Sequence, residues 1–305
     1  DNKAQRWKNL LWNAFGQKKM FKNPLVAILH FFVYAGFIII NLEIIEIILD
    51  GITGKHRMFV GALGSLYPVL INAFEVLAIL VLFAVIIFLL RRHVTKVKRL
   101  NQGELLQGWP RKDATIILLF EVVLMTLFLV MNTVDTCLQD IGSCNYHYTG
   151  DFLVSQFIKP IFAGLSEMGL ITIERFCWWA HIIGIFMFMN YLPYSKHLHV
   201  ILGFPNSYYA PVVANGKMTN MPDIQQEVLY MMQPELAPTD IQATVPSFGA
   251  KDVFDLSWKN LMDAYSCTEC GRCTAACPAN QTGKKLSPRK IMMDTRDRLE
   301  MVGSN

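Results

Sequence analysis

The sequence predicts a mainly α-helical membrane protein: a four-helix transmembrane bundle, then an extended Pro-rich strap and a small α-helical domain built on a cysteine run. Three observations carry this. Of 305 residues, 53% are hydrophobic and only 17% charged, against roughly 25% charged in average globular chains. The charge is missing in blocks, and four windows each reach the about 20 apolar residues that a spanning helix needs. Four of the seven cysteines lie between Cys267 and Cys277, which marks a site and not a disulfide framework. Together these exclude a soluble enzyme or a disordered regulator. The net charge of +4 is too small to argue for nucleic acid, so membrane lipid is the expected partner and nucleic acid is not.

The elements follow in order. Residues 1–24 read as an interfacial helix whose apolar stripe is Trp7, Leu10, Leu11 and Phe15. Residues 25–202 read as the membrane domain, with spans at 25–49, 58–90, 114–134 and 171–194. The first contains only Glu43 and Glu46 as charged residues, the second Glu75 and the third Glu121. The fourth carries Glu174 and Arg175 at its start. These intramembrane carboxylates either carry protons or bond neighbouring helices. The stretch 150–170, broken by Lys159, Pro160 and Glu167, reads as a surface-lying helix, with a fifth span as the alternative. Residues 203–250, with Pro205, Pro211, Pro222, Pro234, Pro238 and Pro246, read as the strap, with one short helix at Asp223–Met232. Helical character resumes over 253–265, inside a cysteine-bearing domain at 251–305.

Orientation follows from basic residues flanking the spans. Lys and Arg crowd residues 1–24 and the second-to-third connection, while 135–151 has neither. Both basic segments are therefore expected in the cytoplasm, together with the C-terminal domain. In the external loop, a Cys137–Cys144 disulfide is expected over free thiols. Cys177 reads as a small packing residue. The chain begins at Asp1 without methionine, so preceding sequence is expected; the first apolar run is too long for a signal-peptide core.

Cys267, Cys270, Cys273 and Cys277-Pro278 follow the C-x2-C-x2-C-x3-C-P run of cubane iron–sulfur proteins. Three thiolates on a tight loop can grip one cluster, and the fourth serves either that cluster or a second one. Zinc or reduced structural thiols are the bland alternatives, but zinc sites usually use two separated Cys pairs. The run from Ser266 to Asn280, with Lys284–Ile291 after it, resembles the ferredoxin-like domain of membrane-bound Fe–S oxidoreductases related to heterodisulfide reductase and glycolate oxidase iron–sulfur subunits. That resemblance implies one or two 4Fe–4S clusters. No second run follows before Asn305, so the domain reads as incomplete, its remainder truncated here or carried on another chain.

His181 and His199 are 18 residues apart, five turns on one face, so a continuous helix would offer a ring near each membrane surface. Pro193 lies between them and leaves the register past it open. The fourth span and its ending Leu192–His199 are similar to the last helix of the nitrate reductase cytochrome b (gamma) subunit. That resemblance implies a cytochrome b type bundle with two b haems, each taking one ligand from this helix. His30 matches the family's inner ligand and pairs with His199, with His197 in reserve. The family's second histidine is Ile40 here, so His56 is the substitute partner for His181, and Arg57 is expected at a haem propionate. His93 reads as solvated and His147 as an exposed loop residue.

These readings combine into a membrane electron-transfer oxidoreductase subunit of a bacterial cytoplasmic membrane. It is expected to link a soluble donor, clusters, haems and a menaquinone-type quinone. The family resemblance implies an electron-transfer flavoprotein as one donor. The alternatives are a non-catalytic anchor and relay subunit beside other respiratory-complex subunits, or a haem-free Fe–S redox sensor.

Overall fold

A short leading helix, α1 (Lys3–Leu10), runs on as a π-helical turn through Leu11–Phe15. Asn23 and Pro24 then decide where α2 (Pro24–Thr53) starts. In this computed structural model, which describes residues 2–100, 108–213, 216, 221–237 and 249–304, the Asn23 side chain accepts from the Val26 N–H. Pro24 occupies the first helical position, where a missing N–H costs nothing. The 30 residues of α2 make it about 45 Å long, enough to cross a hydrocarbon core of ~30 Å.

The second span opens with a break. Short α3 (Phe59–Leu63) and a 3-10 turn at Gly64–Leu66 precede α4 (Tyr67–His93), because Gly64 takes φ +52° and Pro68 favours a fresh helix start. Next, α5 (Trp109–Asp140) overruns the expected third span at both ends. The stretch 150–170 forms only α6 (Ser155–Ile158) and a 3-10 turn at Lys159–Phe162, so no fifth span arises there. Buried Glu75 accepts from the Val154 N–H (2.7 Å), the Ser155 N–H (3.2 Å) and the Ser155 hydroxyl, pinning this segment to α4. Ser166 caps α7 (Glu167–Tyr191).

The sequence left open whether the helix of His181 runs on past Pro193 to His199. It does not. Pro193 ends α7 at Tyr191, two 3-10 turns follow, Ser195 is extended (φ −111°, ψ 158°), and α8 (His199–Tyr208) begins afresh. A proline removes a helical N–H and restricts the residue before it. The five-turn spacing therefore has no helix to act along. The strap reading is also revised: α8 already covers Gly203–Tyr208, with Pro205 inside it. Later comes α9 (Pro222–Met232), whereas Pro238 and Pro246 lie outside the described residues. The C-terminal part contains α10 (Trp258–Tyr265), α11 (Arg272–Ala276), α12 (Pro278–Gln281) and α13 (Pro288–Gly303).

Among the described residues there is no strand, and four helical stretches are long and apolar enough to cross a membrane: Pro24–Thr53, Phe59–His93, Trp109–Asp140 and Glu167–Tyr194. They pack in sequence, α2 on α4, α4 on α5 and α5 on α7, around a core that includes Tyr67, Ile71, Phe74, Phe128 and Ile182. Many apolar side chains on the outer surfaces remain exposed, Phe83 and Phe176 among them, as lipid-facing positions require. No contact of comparable extent joins α2 to α7. At the other end of the chain α1 lies on α8: Trp7 meets Tyr208 edge-on at 5.3 Å and Phe15 meets Phe204 at 5.0 Å. Cys137 and Cys144 are free thiols, so the expected disulfide is not formed.

Candidate functional site

The cysteine loop is shaped by two residues with left-handed backbone. Glu269 takes φ +54° and Gly271 φ +72°. Gly271 caps α11, which puts Cys273 in the first turn of that helix and Cys277 just past its end, before Pro278 opens α12. A Cβ at Gly271 would lie 2.7 Å from Arg289 Nη1 and 3.2 Å from the Arg99 carbonyl, so only glycine fits this seat. Behind the loop, Thr274 and Ser287 hydroxyls bond at 3.0 Å and the Arg289 N–H donates to Thr274 at 3.2 Å, tying α11 to α13.

Cys267, Cys270 and Cys277 are half-buried and Cys273 is exposed. Burial acts to raise the Cys270 thiol, but the Arg272 N–H, guanidinium and charge together hold it below its ordinary value. Burial pushes Cys267 up. Four soft thiol donors at this spacing suit iron–sulfur ligation by type, although among the described residues no three ligands are already gathered as a metal site.

The loop is seated on the segments that flank the membrane helices. Arg272 Nε donates to Cys270 Sγ at 3.3 Å, while its Nη1 reaches the Lys19 carbonyl at 3.4 Å and Met20 Sδ at 3.3 Å, just ahead of α2. Arg289 Nη1 donates to the Arg99 carbonyl at 2.7 Å, past the end of α4. Glu269 is 4% exposed and joins Lys196 Nζ (2.5 Å) to Arg296 Nη2 (2.9 Å). Burial alone would raise the Glu269 carboxyl; the Lys196 charge and the bonds from both cations outweigh it and hold the group below the usual carboxylate range.

His30, His197 and His199 gather beneath that seat. His30 Nδ1 bonds Gln17 Oε1 at 2.9 Å, and His199 Nδ1 bonds the Lys196 carbonyl at 2.9 Å. A carbonyl oxygen only accepts, so Nδ1 carries the proton and Nε2 keeps its lone pair. This is the orientation that metal-ligating histidines adopt. The rings of His197 and His199 lie 5.6 Å apart, and His197 also packs on Phe188 and Phe37. Burial first, then the charges of His199 and His30, pushes His197 down to about 3, and burial lowers His199. The three histidines thus lie near one another at the end of the bundle nearest the cysteines, though among the described residues they do not form a ready three-ligand metal site.

His181 is 2% exposed in mid-α7, and its Nδ1 donates to the Leu124 carbonyl of α5 at 3.1 Å, again leaving Nε2. At the far end of the bundle a cavity of about 670 Å³ opens between the C-terminal end of α2 and the first turns of α7. His56, Arg57, Asp135, Glu174 and Trp178 line it, and His181 does not. His56 is turned the other way: Nε2–H donates to Asp135 at 2.9 Å while its buried Nδ1 has no hydrogen-bond partner. Arg57 differs most from expectation. Its donors go to Asp135, Glu43, Tyr67 and Asn132 at 2.7–3.2 Å, so it binds three helices together from within instead of offering a free fork to a propionate. Glu46 accepts from the Tyr67 hydroxyl (2.9 Å) and the Phe59 N–H (2.8 Å). These carboxylates of α2 bond neighbouring groups. His93 is exposed and bonds Thr115 at 3.1 Å, and exposed His147 lies at the cavity rim.

Comparison with known proteins bears on the cysteine segment first. The model for a 4Fe-4S binding domain matches residues 258–279, which hold all four cysteines. Residues 258–279 are a 4Fe–4S binding domain. Beyond this domain the likeness runs nearly the whole length of the chain. It is 30% identical over 304 residues to the probable iron-sulfur-binding oxidoreductase FadF of Bacillus subtilis, covering 98% of this chain and 38% of that one. It is 26% identical over 296 residues to the EtfAB:quinone oxidoreductase of Syntrophomonas wolfei, covering 95% and 37%. A probable membrane-anchored ferredoxin of Chromohalobacter salexigens shares 34% identity over 59 residues, 19% of this chain and 9% of that one. The chain spans under two fifths of the length of the first two relatives. No solved structure matches. The chain is thus similar over most of its length to part of an iron–sulfur-binding oxidoreductase, and it carries a 4Fe–4S binding domain beside four helices long and apolar enough to cross a membrane.

Sequence reasoning missed Gln17, Asp113, Lys196 and Glu269. Glu269 stands inside the quoted cysteine run and Lys196 inside the quoted histidine ending, but nothing in one dimension joins residues 73 apart.

Proposed function

We propose that this chain is the membrane part of an electron-transfer oxidoreductase that connects a cytoplasmic donor, such as an electron-transfer flavoprotein, with a menaquinone-type quinone by way of the 4Fe–4S domain and two b haems. The observation that carries the reading is the seating of the cysteine loop over His30, His197 and His199, with Arg272 touching both Cys270 and the backbone just before α2. Clusters and haems, when bound, supply one-electron carriage. The residues supply placement. His30 and His199 present Nε2 at the near end, with His197 in reserve. His181 presents Nε2 in mid-bundle, where Leu124 fixes its ring. His56, on Asp135, faces the far cavity as the remaining candidate. Two imidazoles per haem leave no open coordination site, which suits electron passage and not oxygen binding. Lysine and arginine on the cysteine-side segments and their absence from 135–151 support a cytoplasmic 4Fe–4S domain. The quinone role is supported by similarity to the EtfAB:quinone oxidoreductase of Syntrophomonas wolfei, and the flavoprotein donor by the family resemblance of the cysteine run.

The test is a reduced-minus-oxidised spectrum of the purified chain with haem, iron and sulfide quantified. Two low-spin b haems and a cubane signal are expected. A haem-free protein with intact cluster would overturn the haem part and leave the 4Fe–4S part standing.

A further inference from the structure

Lys196 sits where three parts of the site meet. Its N–H donates to Asp113 at 3.0 Å, and its ammonium donates to the Pro110 carbonyl at 2.7 Å, fixing it to the start of α5. Asp113 is itself buried and accepts from the Tyr191 hydroxyl at the end of α7, 2.5 Å away. The Lys196 carbonyl accepts a hydrogen bond from His199 Nδ1–H at 2.9 Å. The same ammonium reaches Glu269, between Cys267 and Cys270, at 2.5 Å. Glu269 in turn is held from its own side by Arg296 of α13. The cavity beside the pair is only about 60 Å³, room for a water or two, so the contact is nearly dry. A single residue therefore orients His199 with its backbone and grips the cysteine loop with its side chain.

We propose that Glu269 and Lys196 form a docking clamp that fixes the cluster-binding loop against the turn leading into His199, so that breaking the pair loosens the loop at this foothold without emptying the cluster. Both are positioning residues. The inference rests on the reading that a cluster occupies Cys267–Cys277, and it goes beyond that reading by assigning the interface that sets where the cluster stands. Lys196 lies outside the 4Fe–4S domain, so its loss should not disturb ligation. Glu269 lies within it, so the two variants separate docking from cluster retention.

The test uses the full chain in detergent, with Lys196→Met and Glu269→Gln. Iron and sulfide content should stay at wild-type level in Lys196→Met. Amide exchange in residues 195–199 and 266–273 should quicken by about a hundredfold in both variants, the opening expected when one partner of a buried ion pair is removed. Oxidation of the reduced cluster by a soluble quinone analogue should slow, while oxidation by ferricyanide, which reaches the cluster from solution, should keep its rate. Wild-type exchange in Lys196→Met, unchanged oxidation by quinone, or loss of iron in that variant would each overturn the clamp. If wild-type protein holds no cluster, the functional reading fails, and exchange at 195–199 still tests the contact by itself.

Discussion

Replacing Arg57 with methionine tests how the end of the bundle remote from the cysteines is held together. Arg57 is 7% exposed, and its two carboxylate partners, Glu43 and Asp135, are 1% and 3% exposed. Its fork spans α2, α4 and α5 through Glu43, Tyr67, Asn132 and Asp135. Methionine fills the volume but leaves two buried acids facing each other's field without a cation. Stranding one partner of a buried ion pair costs about 3–5 kcal/mol. At about 2–4 °C per kcal/mol for a chain of this class, the melting temperature should fall by about 6–20 °C. Protonation of one acid would bring the loss toward the lower end. Arg57→Lys keeps the charge but not the fork, so it should fall between. The assay is intrinsic tryptophan fluorescence during heating in detergent. A drop below about 2 °C in Arg57→Met would refute the claim that the network ties the helices together.

Cys270→Ser should abolish the cluster's absorbance and paramagnetic signal; full retention of iron and sulfide would remove Cys270 from the ligand set. In chelator-stripped protein near neutral pH, iodoacetamide should modify Cys270 before Cys267, because the thiolate reacts and Arg272 lowers one thiol while burial raises the other. Peptide mass spectrometry over a time course reads the order, and a faster Cys267 would contradict it. His30→Ala and His56→Ala should each remove one haem, and different ones, by pyridine haemochrome and spectrum. Two haems persisting in His56→Ala would move the far ligand to His147.

What could be read in one dimension had a local cause. The four spans were legible because bilayer thickness imposes a length of apolar sequence, and the 4Fe–4S domain because cluster ligation imposes a spacing of thiols. The break between α7 and α8 was half legible: Pro193 stood in view, but the extended Ser195 and the restart at His199 depend on Lys196 bonding Asp113 and Pro110 across the fold. Arg57 was picked out as a cation at an expected haem edge. Its actual partners lie 10 to 78 residues away, so no sequence window could assign them. Gln17, one turn beyond the leading helix and hydrogen-bonded to His30, carries no sequence mark at all.

The tail's attachments to the bundle also set an order of assembly. Arg272 meets Lys19 and Met20 across 253 and 252 residues, Arg289 meets Arg99 across 190, and Glu269 meets Lys196 across 73. At roughly 5–20 residues per second of synthesis, the segment at Lys19 waits about 10–50 s before Arg272 exists. During that interval every helix of the bundle is made before the surface it will carry. The cysteine segment therefore emerges after the bundle, onto a platform whose three footholds come from well-separated parts of the earlier chain, and a ribosome that stalls before residue 267 leaves a bundle without the cysteine run.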